Sequence, residues 1–284
     1  MGRAGHIALS VLGFFDSGFG GLSVVREVRK RLPKHSLVYL GDNARTPYGG
    51  LPPETIYRYT MEGVVELFHR GADLVVLACN TSSSVALRRI QQQHLSVHHP
   101  NKRVLGIVIP TAEEVSRLSK TKVIGVLATE VTVNSYAYPH ELHKIDPSVT
   151  VIQQACPNLV PMIESGDLGN IAGEVRTYMD ELLDQDARID TVLLGCTHYA
   201  LIESTIREIA PAEIRVASQG AIVAEKLEDY LERHPEFGEW MDLSGEAKFL
   251  TTKYSDSMKA LATRFYGSPI VMDTITIGTS HPAR

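Results

Sequence analysis

Short apolar runs alternate with amphipathic stretches of helical length along most of this chain. Such alternation is typical of βαβ units, in which helices connect parallel strands. The runs are apolar throughout and rich in Val, Leu and Ile, as expected of strands whose two faces are both covered by helices. The sequence therefore predicts an α/β fold with mostly parallel sheets. The predicted strands lie near residues 11–15, 37–41, 74–78, 104–109, 122–127, 149–153, 191–195, 214–217, 247–251 and 269–272. The predicted helices lie near residues 21–31, 54–70, 82–94, 112–119, 132–144, 168–184, 199–209, 219–233 and 255–265.

An internal repeat indicates two similar halves. The stretch DLVVLAC at 73–79 aligns with DTVLLGC at 190–196, and each is an apolar strand that ends in a small residue and a cysteine. Residues 11–17 align with 123–129 at a similar offset. Because apolar strands resemble one another, chance similarity is the alternative. The 284 residues suffice for two doubly wound domains, so we predict a pseudo-symmetric pair with the active site in the cleft between them.

The composition favours a globular protein that acts on a small molecule. Lys and Arg number 28 against 33 Asp and Glu, which gives a net charge of −5, and no basic block stands out. This charge gives no support for a nucleic-acid partner or an anionic membrane surface. No apolar stretch approaches the roughly 18 residues that a membrane span requires. We therefore expect no nucleic-acid and no membrane partner.

The cysteine spacing bears on the cellular compartment. Cys79, Cys156 and Cys196 lie far apart and form no CxxC pair. This spacing argues against a disulfide framework or a cysteine-rich zinc site, and it fits a reducing, cytoplasmic compartment. Residues 1–15 contain an arginine and a short apolar run but lack a small-residue cleavage site, so a first strand is expected there instead of a signal peptide.

Two of the cysteines follow strands that are equivalent in the repeat. Cys79 and Cys196 would therefore face each other across the cleft. Inverting a carbon centre requires a base on one face and an acid on the other. Thiols, whose ordinary pKa is roughly 8.5, can be tuned to serve in both states near neutral pH. The alternative for any single cysteine is a small buried hydrophobe, which is favoured for Cys156 because no polar cluster lies beside it.

Polar residues beside both cysteines mark strands that lead into helices. Asn80, Thr81 and Thr197 offer hydrogen bonds there, and helix N-termini favour anions such as a carboxylate. Helix capping is their alternative role. Asp16 follows the first strand, and His198 lies two residues beyond the last cysteine. A nearby aspartate would raise the pKa of a thiol and a protonated histidine would lower it, whereas the alternatives are an ammonium-binding or capping Asp16 and a packed His198.

Five motifs together carry a resemblance to a known family. They are DSGFGG at 16–21, DNARTPYGG at 42–50, ACNTSS at 78–83, LATEVTV at 127–133 and GCTHY at 195–199. In combination they resemble the bacterial glutamate racemases of the aspartate/glutamate racemase superfamily. The resemblance implies an isomerase that needs neither organic cofactor nor metal. It also implies interconversion of L- and D-glutamate to supply D-glutamate for peptidoglycan biosynthesis. Such an enzyme would take part in cell-wall biogenesis and so in maintaining cell shape.

The resemblance implies a role for each matched position. Cys79 and Cys196 become the two acid/base residues, and Asp16 and His198 become catalytic helpers. The implied substrate-binding residues are Asp16, Ser17, Pro47, Tyr48, Gly49, Asn80, Thr81, Thr132, Thr197 and His198.

The resemblance also implies the domain layout. The first domain comprises 1–98 plus 212–284, the second comprises 99–211, and a homodimer is expected. Two departures from the family pattern occur. Ala200 replaces a proline that often follows GCTHY, and 218–219 reads Ser-Gln where an Asp-Ser pair is common. These changes bear on local loop shape and on the hinge region, since neither touches the cysteines.

Other function classes explain part of the pattern. A cysteine-nucleophile amidohydrolase would use Cys196 with His198, but it leaves Cys79 unexplained. A two-lobed binding protein explains the paired domains but not the thiols. Within the superfamily, an aspartate racemase is the nearest competitor, because the sequence does not reveal the depth of the pocket.

Overall fold

Two parallel sheets form the framework of the molecule. The computed structural model describes residues 9–278. Residues 1–8 and 279–284 lie outside the described residues, and with them the start of the segment 1–15 and both ends of the predicted first domain. Within the described part, every strand pair is parallel. The strands are β1 (Val11–Asp16), β2 (Leu37–Gly41), β3 (Ala72–Leu77), β4 (Arg103–Gly106), β5 (Val123–Ala128), β6 (Thr150–Ala155), β7 (Thr191–Gly195), β8 (Arg215–Ala217), β9 (Ala247–Thr251) and β10 (Asp273–Thr274).

Helices connect these strands and cover the sheets. They are α1 (Leu22–Arg31), α2 (Pro53–His69), α3 (Asn80–Val85), α4 (Leu87–Arg89), α5 (Ser96–His98), α6 (Val108–Leu118), α7 (Glu130–Asn134), α8 (Ala137–Ile145), α9 (Leu159–Ser165), α10 (Ile171–Leu183), α11 (Glu203–Ile209), α12 (Gln219–Arg233), α13 (Pro235–Gly238) and α14 (Asp256–Tyr266). Short 3₁₀ helices span Tyr48–Gly50 and Thr197–Leu201, and a π-helical turn spans Ile90–Leu95. Among residues 9–278, no helix is both long enough and apolar enough to cross a membrane.

The two sheets share one strand order. The six-stranded sheet runs β10-β9-β2-β1-β3-β4, and the four-stranded sheet runs β6-β5-β7-β8. Four consecutive strands of the first sheet, β2-β1-β3-β4, thus match the whole of the second. The match pairs β1 with β5 and β3 with β7, as the internal repeat predicts. The predicted fold of two pseudo-symmetric α/β units is confirmed.

Sheet membership bears on where the chain crosses between the two predicted domains. β4 pairs with β3 in the six-stranded sheet, although a boundary at 98–99 would assign it to the second domain. β8 pairs with β7 in the four-stranded sheet, although a boundary at 211–212 would assign it to the first. Because a strand belongs with the sheet that it joins, we propose that the chain crosses just after β4 and just after β8. We call the two units the first lobe (the six-stranded sheet) and the second lobe (the four-stranded sheet).

The core lies on both faces of the first sheet. Leu12 and Phe14 on β1 belong to one buried cluster, whereas their neighbour Phe15 belongs to another on the opposite face. Gly63 on α2 lies against the Phe15 ring so closely that a Cβ atom there would be 2.1 Å from it. Two-sided burial explains why the strand sequence does not alternate between apolar and polar residues. Because β1 is packed on both faces, its carboxyl end has a fixed position in the cleft.

Several elements differ from the prediction. The predicted strand at 269–272 is wrong, because Gly267 ends α14 with a left-handed backbone, Val271 is 85% exposed, and only β10 pairs beyond it. The strand predicted at 104–109 ends at Gly106, and α6 begins at Val108. An apolar run shared by a strand and the helix after it cannot be divided by composition alone.

Candidate active site

The carboxyl ends of β1, β3, β5 and β7 surround a cavity between the lobes. Its volume is about 230 Å³, and both Cys79 and Cys196 lie in its wall. Cys79 directly precedes α3, and Cys196 directly precedes the 3₁₀ helix at 197–201. Both cysteines have extended backbones and buried side chains. The repeat therefore brings one thiol from each lobe to the same cavity.

The Cys79 thiol lies beside hydroxyl and amide groups and near a carboxylate. Its Sγ accepts the Ser82 backbone N–H at 3.4 Å and lies 3.4 Å from the Ser17 hydroxyl. Burial raises the pKa of the Cys79 thiol, and the negative charge of Asp16 raises it further, while the Ser17 and Ser82 hydrogen bonds oppose this. Burial and the Asp16 charge thus favour the protonated form of the Cys79 side chain over the thiolate.

The Cys196 thiol has a cationic neighbour. Its Sγ lies 3.8 Å from His198 Nδ1, and His198 Nε2 lies 2.9 Å from Glu164 Oε1. Burial alone would lower the pKa of His198, but the contacts with Cys196 and Glu164 outweigh burial and hold this pKa well above 6.5. Burial likewise opposes ionisation of Glu164, yet His198 holds the pKa of that carboxyl below its ordinary value. At neutral pH, a charged His198–Glu164 pair therefore lies beside Cys196.

Sequence reasoning missed Glu164. It lies on α9, in a stretch for which no helix was predicted, and no local motif marks it. Thr46, on the first lobe, donates a hydrogen bond to the same Glu164 oxygen at 3.2 Å. The pair is thus held from both sides of the cleft. Only the folded structure brings Glu164 to His198, because the two lie 34 positions apart.

Two predicted site residues lie behind the wall. Within the described residues, the cavity wall includes neither Asp16 nor Thr132. Asp16 is fully buried, accepts the Gly18 N–H at 3.0 Å, and has a pKa that burial raises. The Thr132 hydroxyl lies 3.0 Å from that of Thr129 and 3.4 Å from that of Thr81. Any influence of Asp16 or Thr132 on a ligand would therefore pass through their neighbours.

The remaining predicted positions reach the wall, together with several that were not predicted. The predicted ones are Ser17, Pro47, Tyr48, Gly49, Asn80, Thr81, Thr197 and His198. Those not predicted are Gly50, Thr129, Glu130, Cys156, Pro157, Val160 and Pro161. The prediction that Cys156 is a buried residue is confirmed, but it also lines the cavity, and burial raises its pKa to about 12.

The loop before α2 closes one side of the cavity. Tyr48 is buried there, and its hydroxyl donates to Asp42 at 2.5 Å. Gly49 packs on Thr129 of the second lobe so closely that a Cβ atom would lie 2.9 Å from the threonine Cβ. A side chain at this position would push the lobes apart, which explains the glycine.

The arrangement suits proton transfer at two faces of one small molecule. The wall offers the Cys79 and Cys196 thiols from opposite lobes, hydroxyl and amide groups for polar ligand atoms, and a charged imidazole. Among the described residues, no three His, Cys, Asp or Glu side chains form a group that could hold a metal ion.

Comparisons with known proteins agree with this geometry. Residues 22–226 match the family model Asp/Glu/Hydantoin racemase. A protein from Ruegeria pomeroyi named glutamate racemase is 40% identical over 264 residues, which cover 89% of this chain and 96% of that protein. The crystal structure of glutamate racemase isoform RacE1 from Bacillus anthracis has a TM-score of 0.84 at 32% identity, covering 94% of this chain and 97% of that one.

A second solved structure, glutamate racemase from Francisella tularensis in complex with D-glutamate, has a TM-score of 0.81 at 26% identity. That likeness covers 95% of this chain and 98% of the other. The family model matches well over half of the chain, and the Ruegeria pomeroyi protein is 40% identical over most of both chains. This chain belongs to the Asp/Glu/Hydantoin racemase family.

Proposed function

We propose that this chain is a glutamate racemase that interconverts L- and D-glutamate without an organic cofactor or metal. The observation that carries the proposal is that Cys79 and Cys196 lie in the wall of one cavity at equivalent strand ends of opposite lobes. Further support comes from relatives that bear the name glutamate racemase and from the D-glutamate named for the Francisella tularensis structure.

The proposed reaction moves one proton off and another onto the α-carbon. One cysteine, as the thiolate, takes the α-proton: the C–H bond breaks, an S–H bond forms, and the electron pair stays on the substrate as a carbanion. The opposing thiol then gives its proton to the other face of the carbon and becomes a thiolate. The two cysteines exchange roles when the reaction runs in reverse.

His198 and Asp16 would assist the two thiols in different ways. The charged His198 ring, 3.8 Å from Cys196 Sγ, can stabilise negative charge on that sulfur. Asp16 raises the pKa of Cys79 and so favours the thiol, the form that donates a proton. Glu164 would act through His198 by keeping the ring charged.

The polar wall would hold the substrate carboxylates and ammonium. Asn80, Thr81 and Thr197 stand at helix starts after β3 and β7, where backbone N–H groups favour anions. The side chain of Ser17 and the segment 47–49 close the remaining sides. Thr132 would orient Thr81 and Thr129, and Asp16, behind Ser17, would reach the ammonium only indirectly.

The site gives no specific support to the other function classes. A cysteine-nucleophile hydrolase would use Cys196 with His198 and leave Cys79 idle in the same wall. An aspartate racemase would use the same chemistry on a shorter substrate, so a direct assay must separate the two. We also propose a cytoplasmic enzyme that supplies D-glutamate for peptidoglycan; the expected homodimer stays a prediction that light scattering would test.

A chiral assay of the wild type and three alanine variants tests the proposal. Dialysed enzyme is incubated separately with L-glutamate, D-glutamate and L-aspartate, and the enantiomers are separated by chiral chromatography. We expect both glutamate enantiomers to racemise without pyridoxal phosphate or metal. Cys79→Ala and Cys196→Ala should each lower turnover by about 10²–10⁴-fold, because each removes one acid/base group.

Cys156→Ala is the matched control for loss of a thiol from the same cavity wall. Cys156 takes no part in the proposed proton transfer, and burial raises its pKa to about 12, so its variant should keep most of its turnover. Racemisation of aspartate but not glutamate would overturn the substrate assignment. Near-normal turnover in either of the other two variants would overturn the two-thiol mechanism.

A further inference from the structure

A buried polar cluster lies directly behind the cavity wall at Asn80. It joins Asn80 to Gln219, Tyr138 and Thr111, all at most 5% exposed. Asn80 belongs to the first lobe and follows Cys79, whereas Tyr138 on α8 and Thr111 on α6 pack on the second lobe. Gln219 begins α12 just after β8. The cluster includes one of the departures from the family pattern, and none of its members except Asn80 has a role in the proposed reaction.

The hydrogen bonds of the cluster determine which way the Gln219 side-chain amide is oriented. The Thr111 hydroxyl donates its only hydrogen to the Ile107 carbonyl at 2.5 Å, so its oxygen can only accept from Gln219. The Gln219 atom that faces it, at 3.3 Å, must therefore be the amide nitrogen Nε2. This nitrogen also lies 2.8 Å from the Tyr138 hydroxyl and 3.0 Å from Asn80 Oδ1. A backbone carbonyl thus fixes the orientation of the Gln219 amide.

The fixed Gln219 amide determines what Asn80 can offer a ligand. Gln219 Nε2 has two hydrogens for three neighbouring acceptors. With one hydrogen on Thr111 Oγ1, the other goes to Asn80 Oδ1 at 3.0 Å, because the Tyr138 hydroxyl itself donates to that oxygen at 2.6 Å and needs no hydrogen from Gln219. Both lone pairs of Asn80 Oδ1 are then used. Asn80 Nδ2 donates one hydrogen to Gln219 Oε1 at 2.6 Å. One Nδ2 hydrogen is left, and Asn80 lies in the cavity wall. Asn80 can therefore act toward a ligand only as a donor.

We propose that Gln219 is a positioning residue that, with Tyr138, holds the Asn80 amide so that its remaining N–H donates to a carboxylate of the substrate. The inference rests on the proposed function and deepens it, because it assigns Asn80 to a carboxylate and excludes the ammonium. An ammonium has only donors and would find no free lone pair on Asn80. Without Gln219 the amide can rotate and present its oxygen to the carboxylate, which repels it.

Steady-state kinetics of three single variants and of the double variant that combines Gln219→Met with Tyr138→Phe test this proposal. Gln219→Met keeps the side-chain length but removes both amide groups, and Tyr138→Phe removes only the hydroxyl. Gln92→Met, at an exposed position on the π-helical turn, is the matched control. The wild type and all variants are assayed with L- and D-glutamate, and circular dichroism with thermal melting checks that each is folded.

We expect Gln219→Met and Tyr138→Phe each to raise the KM for both enantiomers at least tenfold while kcat changes less than threefold. A contact made equally in the bound and transition states affects KM in this way. The double variant should be little worse than either single variant, because both remove the same constraint. Gln92→Met should behave as the wild type.

Other outcomes contradict the inference. A KM within twofold of the wild type in Tyr138→Phe would overturn it even if Gln219→Met failed to fold. So would a fall in kcat at unchanged KM, or effects that multiply in the double variant. A wild-type protein that does not racemise glutamate would instead overturn the proposed function, and this inference with it.

Discussion

The thiols of Cys79 and Cys196 have electrostatic neighbours of opposite sign. Cys79 lies near the carboxylate of Asp16, whereas Cys196 lies beside the charged ring of His198. The fold is pseudo-symmetric, but this charge distribution is not. The two thiols, which are proposed to act at opposite faces of one carbon, therefore lie in different electrostatic surroundings.

The His198–Glu164 pair makes stability depend on pH in a defined direction. Because the folded-state pKa of His198 is raised above 6.5, the folded state binds a proton more tightly than the unfolded state. Its contribution to stability is fully present below pH 6.5. The contribution falls as the pH rises through the folded-state pKa, above which it is lost. Glu164, whose pKa is lowered, stays ionised throughout this range.

We therefore expect His198→Asn to destabilise the protein most near pH 6.5 and least at high pH. At the lower pH the loss should be about 1–3 kcal/mol, because a charged hydrogen-bonded pair is broken and Glu164 is left without its partner. Urea unfolding of the wild type and the variant from pH 6.5 upward measures the difference. A difference that is constant across this range, or that grows with pH, would contradict the assignment of a charged His198.

At the residue scale, sequence motifs predict those site residues whose position depends on neighbouring residues in the chain. Ser17, Asn80, Thr197 and His198 follow strand ends, and the parallel topology brings such ends together. Glu164 could not be found in this way, since no strand ends beside it and its partner His198 is distant in sequence. Gln219 does follow the end of β8, but the sequence does not show that it contacts Asn80, which lies 139 positions away. Strand-end position alone also could not show that Asp16 lies behind the wall.

Among the elements, the region of α7 and α8 shows where helix periodicity is an incomplete guide. One helix was predicted over 132–144, but α7 ends at Asn134 and α8 begins at Ala137. Tyr136, between them, has φ of +55° and is 67% exposed. The break was not predicted because tyrosine carries no signal for a left-handed backbone, which is common only for glycine, asparagine and aspartate.

We expect Tyr136→Gly to stabilise the protein by about 0.5–1 kcal/mol, because glycine adopts a positive φ without the steric penalty of a Cβ atom. His140→Gly, at an exposed position inside α8, is the matched control and should destabilise by about 0.5–1 kcal/mol. Urea denaturation of both variants measures the two shifts. Equal destabilisation by both would mean that Tyr136 owes its conformation to favourable contacts that outweigh the backbone strain.

At the scale of the whole molecule, contacts across the cleft bring the two lobes together around the cavity. The Thr81 hydroxyl of the first lobe lies 3.1 Å from that of Thr129 in the second, and Thr46 reaches Glu164. The repeat in the sequence predicts two lobes with matching strand ends, because similar strands in the same chain order form similar sheets. It does not predict these contacts, since each joins loops or helix starts that differ between the halves.

The two-lobed arrangement leads to a prediction about hydrogen exchange. If each lobe supplies one thiol, a proton removed at one face of the α-carbon stays on that side, and the new hydrogen comes from the opposite thiol after exchange with solvent. Racemisation of L-glutamate in heavy water should therefore give early D-glutamate with deuterium at Cα, while recovered L-glutamate stays nearly unlabelled. Starting from D-glutamate should give the mirror-image pattern. Mass spectrometry of the separated enantiomers at low conversion measures both. Rapid labelling of the unconverted substrate would indicate one base that serves both faces, and it would contradict a mechanism divided between the lobes.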